Sequence, residues 1–268
     1  MRIVSSSVAA GKHRRMRRLL REDGRTVIVA LDHASFMGAS GPAYGEPLRA
    51  IAQAQPDAVL ATWNLARTHA ELFARSGLIL RLDGGTTELG GHADADHGDL
   101  LYTVDQALTL GADAVAVMGF PGTPDEHRSL QRLARLCAAC EPLGMPVMAE
   151  MIPGGWARTV PWTAETIAHA VRIGAELGAD LIKTACPGEP SEFASVVGSC
   201  PVPVVALGGP KMSADDDIVR LAHDVVAAGG AGIAFGRNVW GAPDPGELLR
   251  RLHHAVHGVR GDTPLTPA

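Results

Sequence analysis

The sequence predicts an α/β protein, a single-domain parallel (β/α)8 TIM barrel. Two observations lead to this fold class. Eight short, nearly continuous apolar runs punctuate the chain, and the stretches between them are long enough for helical returns. A doubly wound open sheet is the alternative, but its usual GxGxxG after the first strand is absent.

The elements follow in order. The basic cluster Lys12-His13-Arg14-Arg15 with Arg17-Arg18 reads as an N-terminal amphipathic helix, with Met16, Leu19 and Leu20 as its apolar contacts. The expected strands are Thr26–Asp32, Ala58–Thr62, Leu78–Asp83, Ala114–Met118, Pro146–Met151, Leu181–Thr184, Val202–Leu207 and Gly232–Phe235. Helical returns are expected at Ser129–Glu141, Ala164–Leu177 and Asp215–Ala228, the last capped by Ser213. Asp113, Asp180 and Gly229-Gly230 mark helix-to-strand junctions. Gly84–Asp99, rich in Gly, His and Asp, reads as a loop after the third strand, and Arg260–Ala268 as a frayed polar tail. Residues 1–268 are therefore taken as one domain with a basic helix at its start.

Composition narrows the function. Of 268 residues, 46% are hydrophobic and 20% charged, which suits a soluble globular core. A formal charge of -5 provides no general attraction for nucleic acid or anionic membrane, so neither is expected as a partner. No run of about 18 apolar residues suggests a membrane span. Cys137 and Cys140 form a CxxC, but within a helix and without a second pair, so these thiols read as structural. The cysteine content fits a reducing compartment, and the cytoplasm is the expected location. His92, Asp94, Asp96, His97 and Asp99 have no familiar metal-ligand spacing and read as a solvated loop. No metal and no cofactor are expected.

The chemistry is expected at the C-terminal ends of the strands. Only three lysines occur, and Lys183 ends the apolar run Ala179-Asp180-Leu181-Ile182-Lys183-Thr184. A lysine on a buried strand is expensive unless it is neutral, paired or used. It is either a Schiff-base amine or a lysine paired to a carboxylate. Asp32 either holds that lysine, binds a substrate hydroxyl or moves a proton, or else caps the turn after the first strand. His33 is a shuttle or a structural hydrogen-bonding histidine. Asp83 resembles Asp32 in placement, and Glu150, inside Pro146-Val147-Met148-Ala149-Glu150-Met151, must be paired if it points inward. Glycines after the seventh strand (Gly208, Gly209) and after the eighth (Gly236) let backbone N–H groups approach an anion. Lys211 and Arg237 supply charge, which makes a phosphate site. Trp63, Asn64, Ile152 and Trp156 are expected to line the mouth.

Taken together, these segments resemble the class I fructose-bisphosphate aldolase group of the DeoC/LsrF aldolase superfamily, over roughly residues 11 to 257. The resemblance rests on Gly24–His33, Ala179–Thr184, Val205–Lys211 and Gly236–Trp240. It implies a Schiff-base lysine at Lys183, an acidic residue at Asp32, and phosphate-holding segments at Gly208, Gly209, Gly236 and Arg237. The implied activity is a metal-independent lyase cleaving or condensing a phosphorylated ketose or related keto compound. Heptulosonate-synthase, transaldol or thiolase-like chemistry through the same lysine, and a non-catalytic sugar-phosphate-binding barrel, are the alternatives. Homo-oligomers, decamers among them, are also implied. One departure stands out. The group has Tyr-Pro-Arg-Gly after the fifth strand, whereas Ile152-Pro153-Gly154-Gly155 stands here, and Ile152 has no proton to give. Glu150, Asp83 or His33 is then expected to do the tyrosine's proton work.

Overall fold

A computed structural model describes residues 7–35, 45–84, 87, 99–187, 189 and 192–258. Eight parallel strands close a barrel: β1 (Thr26–Ala30), β2 (Ala58–Ala61), β3 (Gly77–Arg81), β4 (Ala114–Gly119), β5 (Val147–Met151), β6 (Leu181–Thr184), β7 (Val204–Leu207) and β8 (Gly232–Phe235). Each pairs with its sequence neighbours, and β8 returns to β1 in the register Thr26↔Gly232. The helices are α1 (Ser7–Leu19), α2 (Glu46–Gln53), α3 (Trp63–Thr68), α4 (Val104–Thr109), α5 (Glu126–Cys140), α6 (Ala164–Glu176), α7 (Phe193–Gly198), α8 (Asp215–Ala227), α9 (Arg237–Trp240) and α10 (Pro245–His257). The barrel expected from the sequence is the barrel found. Most of the loop expected at Gly84–Asp99, the acidic and histidine-rich stretch within it, and the tail lie outside the described residues.

Alternation along the strands builds two cores. One set of residues fills the barrel: Ile28 and Ala30, Ala58 and Leu60, Ile79, Ala114 and Ala116, Met148, Leu181, Val205 and Ala234. The other set packs outward against the helices, for example Val27, Val29, Val115, Val117, Val147 and Ile182 against Leu133, Ile167, Val225 and Leu252. Because strand side chains alternate in direction, a residue two places beyond an interior one is also interior. Arg81 follows Ile79, Glu150 follows Met148 and Lys183 follows Leu181. The apolar filling is therefore topped, at the C-terminal ends of the strands, by a layer of charge.

The opposite end is closed by α1. Leu19 is buried against the interior set with Met16 beside it, as the amphipathic pattern predicted. Several of its basic residues are committed within the chain. Lys12 Nζ lies 3.0 Å from Asp180, Arg18 Nε 2.7 Å from Asp113, and Arg21, just past the helix, binds Asp57. Each of these aspartates immediately precedes an even-numbered strand, and each also accepts a backbone N–H from the odd-numbered strand alongside. Asp57 takes Val27 N–H at 2.7 Å, Asp113 takes Leu78 at 3.0 Å and Asp180 takes Val147 at 3.0 Å. His257 of α10 bridges Asp23 and Asp57 at 2.8 Å each.

Several boundaries move. β1 ends at Ala30 and Asp32 opens a 3-10 turn, Asp32–Ser35. β3 ends at Arg81, and Asp83–Gly84 pairs antiparallel with Asp99–Leu100 in a small ribbon over the barrel rim. α5 starts at Glu126, and α8 is preceded by Ala214 with no side-chain cap, so Ser213 does not cap it. Cys137 and Cys140 lie buried on α5, where burial pushes both thiols up to about 12, which leaves them protonated and inert. Among the described residues no helix is long and apolar enough to cross a membrane.

Candidate active site

Lys183 is the natural starting point, because a buried ammonium needs a partner. β5 and β6 pair in the register Glu150↔Lys183, which places the two side chains side by side on the barrel interior. Lys183 Nζ lies 2.8 Å from Glu150 Oε1, and both groups are buried. Glu150 therefore points inward.

The other Glu150 oxygen, Oε2, accepts from the Arg81 guanidinium. Arg81 also donates through Nε to Asp32 Oδ2 at 2.9 Å and through a terminal nitrogen to Asp83 Oδ1 at 3.3 Å. One planar cation thus holds three carboxylates, a task its fork of N–H donors suits and a lysine's point charge does not. Asp83 is further held by Met118 N–H at 2.7 Å and by Arg132, 3.6 Å away, whose guanidinium also donates to the Met118 carbonyl at 3.2 Å. Asp83 thus sits behind Arg81, braced to β4 and α5.

The electrostatics follow from these contacts. Burial raises the cost of a charged Glu150, yet Lys183 and Arg81 more than offset it and hold the carboxyl below its ordinary value. Asp32 behaves alike: burial opposes its charge, and Arg81 and Lys183 lower its pKa nonetheless. For Arg81, burial works against the cation, and Glu150, Asp32 and Asp83 reverse that effect and raise it. His33 goes the other way. Burial depresses its pKa, only partly countered by Asp32, so the ring is neutral near pH 7.

His33 Nδ1 lies 3.6 Å from Asp32 Oδ1, and the ring meets Trp240 edge-on with centroids 5.9 Å apart. It also closes over the loop after β8. A Cβ at Gly236 would stand 2.6 Å from His33 Cε1 and 2.8 Å from the Ala30 carbonyl, so only glycine fits there. The loops after β7 and β8 are stitched together by Asn238, which donates to the Gly208 carbonyl at 2.8 Å and to Pro210 at 3.2 Å and accepts from Met212 N–H at 2.9 Å. Arg237 donates to the Gly209 carbonyl at 3.2 Å, and Lys211 to the Gly241 carbonyl. Gly209 takes a left-handed φ of 62°.

Of the mouth-lining candidates, Trp63 opens α3 and stacks on Tyr102, centroids 4.8 Å apart, while Asn64 is exposed. Ile152 is fully buried in the core and Trp156 is half-buried after β5. The structure thus brings Lys183, Glu150, Asp32, Asp83 and His33 into one network. It joins Gly208, Gly209 and Arg237 through one set of bonds and lays Lys211 over the end of α9. Sequence reasoning missed Arg81, Arg132 and Asn238. Arg81 carried a signal, since it is a charge on the interior parity of an apolar strand, as Lys183 is. Arg132 lay within the stripe Ser129, Leu133, Leu136 and Cys137 on α5.

A family model described as "DeoC/LacD family aldolase" matches residues 26–242, which takes in every strand of the barrel. The chain belongs to the DeoC/LacD family of aldolases. This aldolase is 36% identical over 254 residues to 2-amino-4,5-dihydroxy-6-oxo-7-(phosphonooxy)heptanoate synthase of Streptomyces griseus, covering 92% of the present chain and 91% of the relative. It is 34% identical to 2-amino-3,7-dideoxy-D-threo-hept-6-ulosonate synthase 1 of Archaeoglobus fulgidus, covering 92% of each chain. Among solved structures it resembles an archaeal fructose 1,6-bisphosphate aldolase, with a TM-score of 0.82, 30% identity, and coverage of 92% of this chain and 99% of that one. It also resembles a Schiff-base-forming fructose-1,6-bisphosphate aldolase, with a TM-score of 0.81, 31% identity, and coverage of 92% and 100%. The aldolase is thus an aldolase-like lyase on a TIM barrel, of the Schiff-base class.

Proposed function

We propose that this aldolase joins or cleaves a carbon–carbon bond next to the carbonyl of a phosphorylated keto compound, with Lys183 as the Schiff-base amine and Glu150 as its proton partner. The observation that carries the reading is the buried Lys183–Glu150 pair, 2.8 Å apart at the mouth of the barrel. Two relatives that span most of the chain are named as synthases, one of a 6-oxo-7-(phosphonooxy)heptanoate and one of a hept-6-ulosonate, names that fit a phosphorylated keto compound.

The proton count works with these two groups alone. The resting ammonium passes a proton to Glu150, and the neutral amine adds to the carbonyl carbon. The adduct's proton moves from nitrogen to oxygen, giving a carbinolamine. Protonated Glu150 then returns its proton to the hydroxyl, which leaves as water, and an iminium remains beside an ionised Glu150. That carboxylate next takes the proton on the carbon beside the iminium, forming an enamine. The enamine attacks an aldehyde, whose oxygen receives the proton back, and water releases the product from Lys183. Ile152 has no part in this cycle. Neutral His33, between the pair and the β8 loop, and Asp32 are the groups within reach of substrate hydroxyls. Asp83 acts through Arg81.

Phosphate is assigned to the loops after β7 and β8. Gly209 leaves its backbone open there, with nothing within 4 Å of where a Cβ would stand, and Arg237 Nε is buried without an acceptor among the described residues. Half-buried Trp63 and Trp156, with exposed Asn64, flank the entrance. A cytoplasmic homo-oligomer, with a decamer as one form, is the expected assembly, and light scattering in solution decides its size.

The test is exchange of the α-protons of dihydroxyacetone phosphate in deuterated water, followed by mass spectrometry. Exchange is expected with the intact enzyme and lost in Lys183→Ala. Equal exchange in both, or none in either, overturns the reading.

A further inference from the structure

Glu150 has two oxygens with two different tasks. Oε1 faces Lys183 and Oε2 is taken by Arg81. If Arg81 were absent, nothing described around Oε2 would hold it, and the carboxylate would be free to turn and offer either oxygen, or both, to the amine. Arg81 is itself immobilised, because Asp32 and Asp83 occupy its other nitrogens and Met118 N–H and Arg132 fix Asp83. The chain of contacts runs from α5 through the rim of β3 and β4 to the reacting amine. We propose that Arg81 is a positioning residue. By holding Glu150 Oε2 it presents Oε1 to Lys183, and its charge stands beside that carboxylate as the amine's does. This inference rests on the Schiff-base reading above.

The charged and ionisable groups that face this exchange stand on or after five strands and on α5. Asp32 and His33 follow β1, Arg81 ends β3 and Asp83 stands in the ribbon after it, Glu150 lies on β5, Lys183 on β6, Arg237 after β8 and Arg132 on α5. Three carboxylates meet three cations at the centre, Asp32, Asp83 and Glu150 against Arg81, Arg132 and Lys183. Removing the Arg81 charge leaves Asp32 and Glu150 under-compensated, so the site as a whole keeps its protons to higher pH. A lysine at this position keeps the charge but reaches fewer carboxylates.

The experiment is borohydride trapping with dihydroxyacetone phosphate across pH, with the adduct mapped to its peptide, on the intact enzyme, Arg81→Met and Arg81→Lys. In Arg81→Met the trapping profile is expected to move up by about one pH unit, with about a tenfold slower trapping rate at neutral pH. The kcat for α-proton exchange falls with it while KM holds. Arg81→Lys is expected to lie between the two. Profiles that superimpose on the intact enzyme's, or a raised KM at unchanged kcat, overturn the proposal. Circular dichroism reports whether Arg81→Met folds. If it does not, Arg81→Lys decides: a shifted profile supports the assignment and an unshifted one overturns it. An intact enzyme that forms no adduct at Lys183 sinks the Schiff-base reading and this inference with it. An adduct there with unmoved variants sinks the inference alone.

Discussion

The two ends of the barrel carry the same formal chemistry in different solvents. At the floor, Asp57, Asp113 and Asp180 meet Arg21, Arg18 and Lys12. At the mouth, Asp32, Asp83 and Glu150 meet Arg81, Arg132 and Lys183. The floor cations are 50%, 53% and 22% exposed, and those at the mouth are 2%, 6% and 5% exposed. In water, charges screen one another and each pair is worth little. Out of water, an unpaired charge is costly, so every member depends on the rest. The floor is thus a clasp that fastens α1 under the barrel. The mouth is a set of groups whose proton positions depend on one another, as an acid–base site requires.

The comparison can be broken most easily at its most buried member. Arg81→Met takes a buried partner from three carboxylates and is expected to cost about 3–5 kcal/mol of unfolding free energy. Asp113→Ala removes the acceptor for Leu78 N–H together with the partner of Arg18, and about 1–3 kcal/mol is expected. Arg18→Ala, at the exposed end of the same pair, is expected to cost about 0.2–1 kcal/mol, and less at high salt. Urea melts at low and high ionic strength read all three. An Arg18→Ala cost as large as that of Arg81→Met would erase the distinction between the two ends.

Acidity sharpens the contrast further. At the floor, burial opposes a charged His257, but Asp57 and Asp23 outweigh it, so the folded ring's pKa lies above the ordinary 6.5. The bridge's stability is complete below about 6.5 and is lost as pH rises through the folded value. At the mouth, burial opposes charge on Glu150 and Asp32, but Lys183 and Arg81 outweigh it and lower both carboxyls. Their contribution is present above the ordinary values of 4.5 and 3.8 and is lost as pH falls through the folded ones. His257→Gln is expected to flatten the alkaline side of the stability curve, and Glu150→Gln the acid side. The reverse pairing would contradict the assignment of partners.

Much of this was legible in the sequence. Eight apolar runs separated by helical lengths specify the barrel, because a parallel sheet covered on both faces needs strands apolar on both sides. Lys183 stood out for its cost. The same reasoning applies to Arg81, which shares the parity of Ile79, but at the end of a strand an arginine reads equally well as one that reaches solvent along its stem. Asp83 was placed by analogy with Asp32. The chain leaves the barrel at Leu82, however, and the ribbon with Asp99–Leu100 turns Asp83 toward Met118 N–H. The basic helix was visible, but its partners were not. Lys12 with Asp180 and Arg18 with Asp113 are contacts between distant segments, and no local pattern encodes them.

The most direct measurement is the site of covalent capture. The enzyme is incubated with dihydroxyacetone phosphate and borohydride, digested, and the peptides weighed. The account predicts one reduced adduct, on Lys183, absent from Lys183→Ala and strongly slowed in Glu150→Gln. An adduct on Lys12 or Lys211, or none on any lysine, would contradict it.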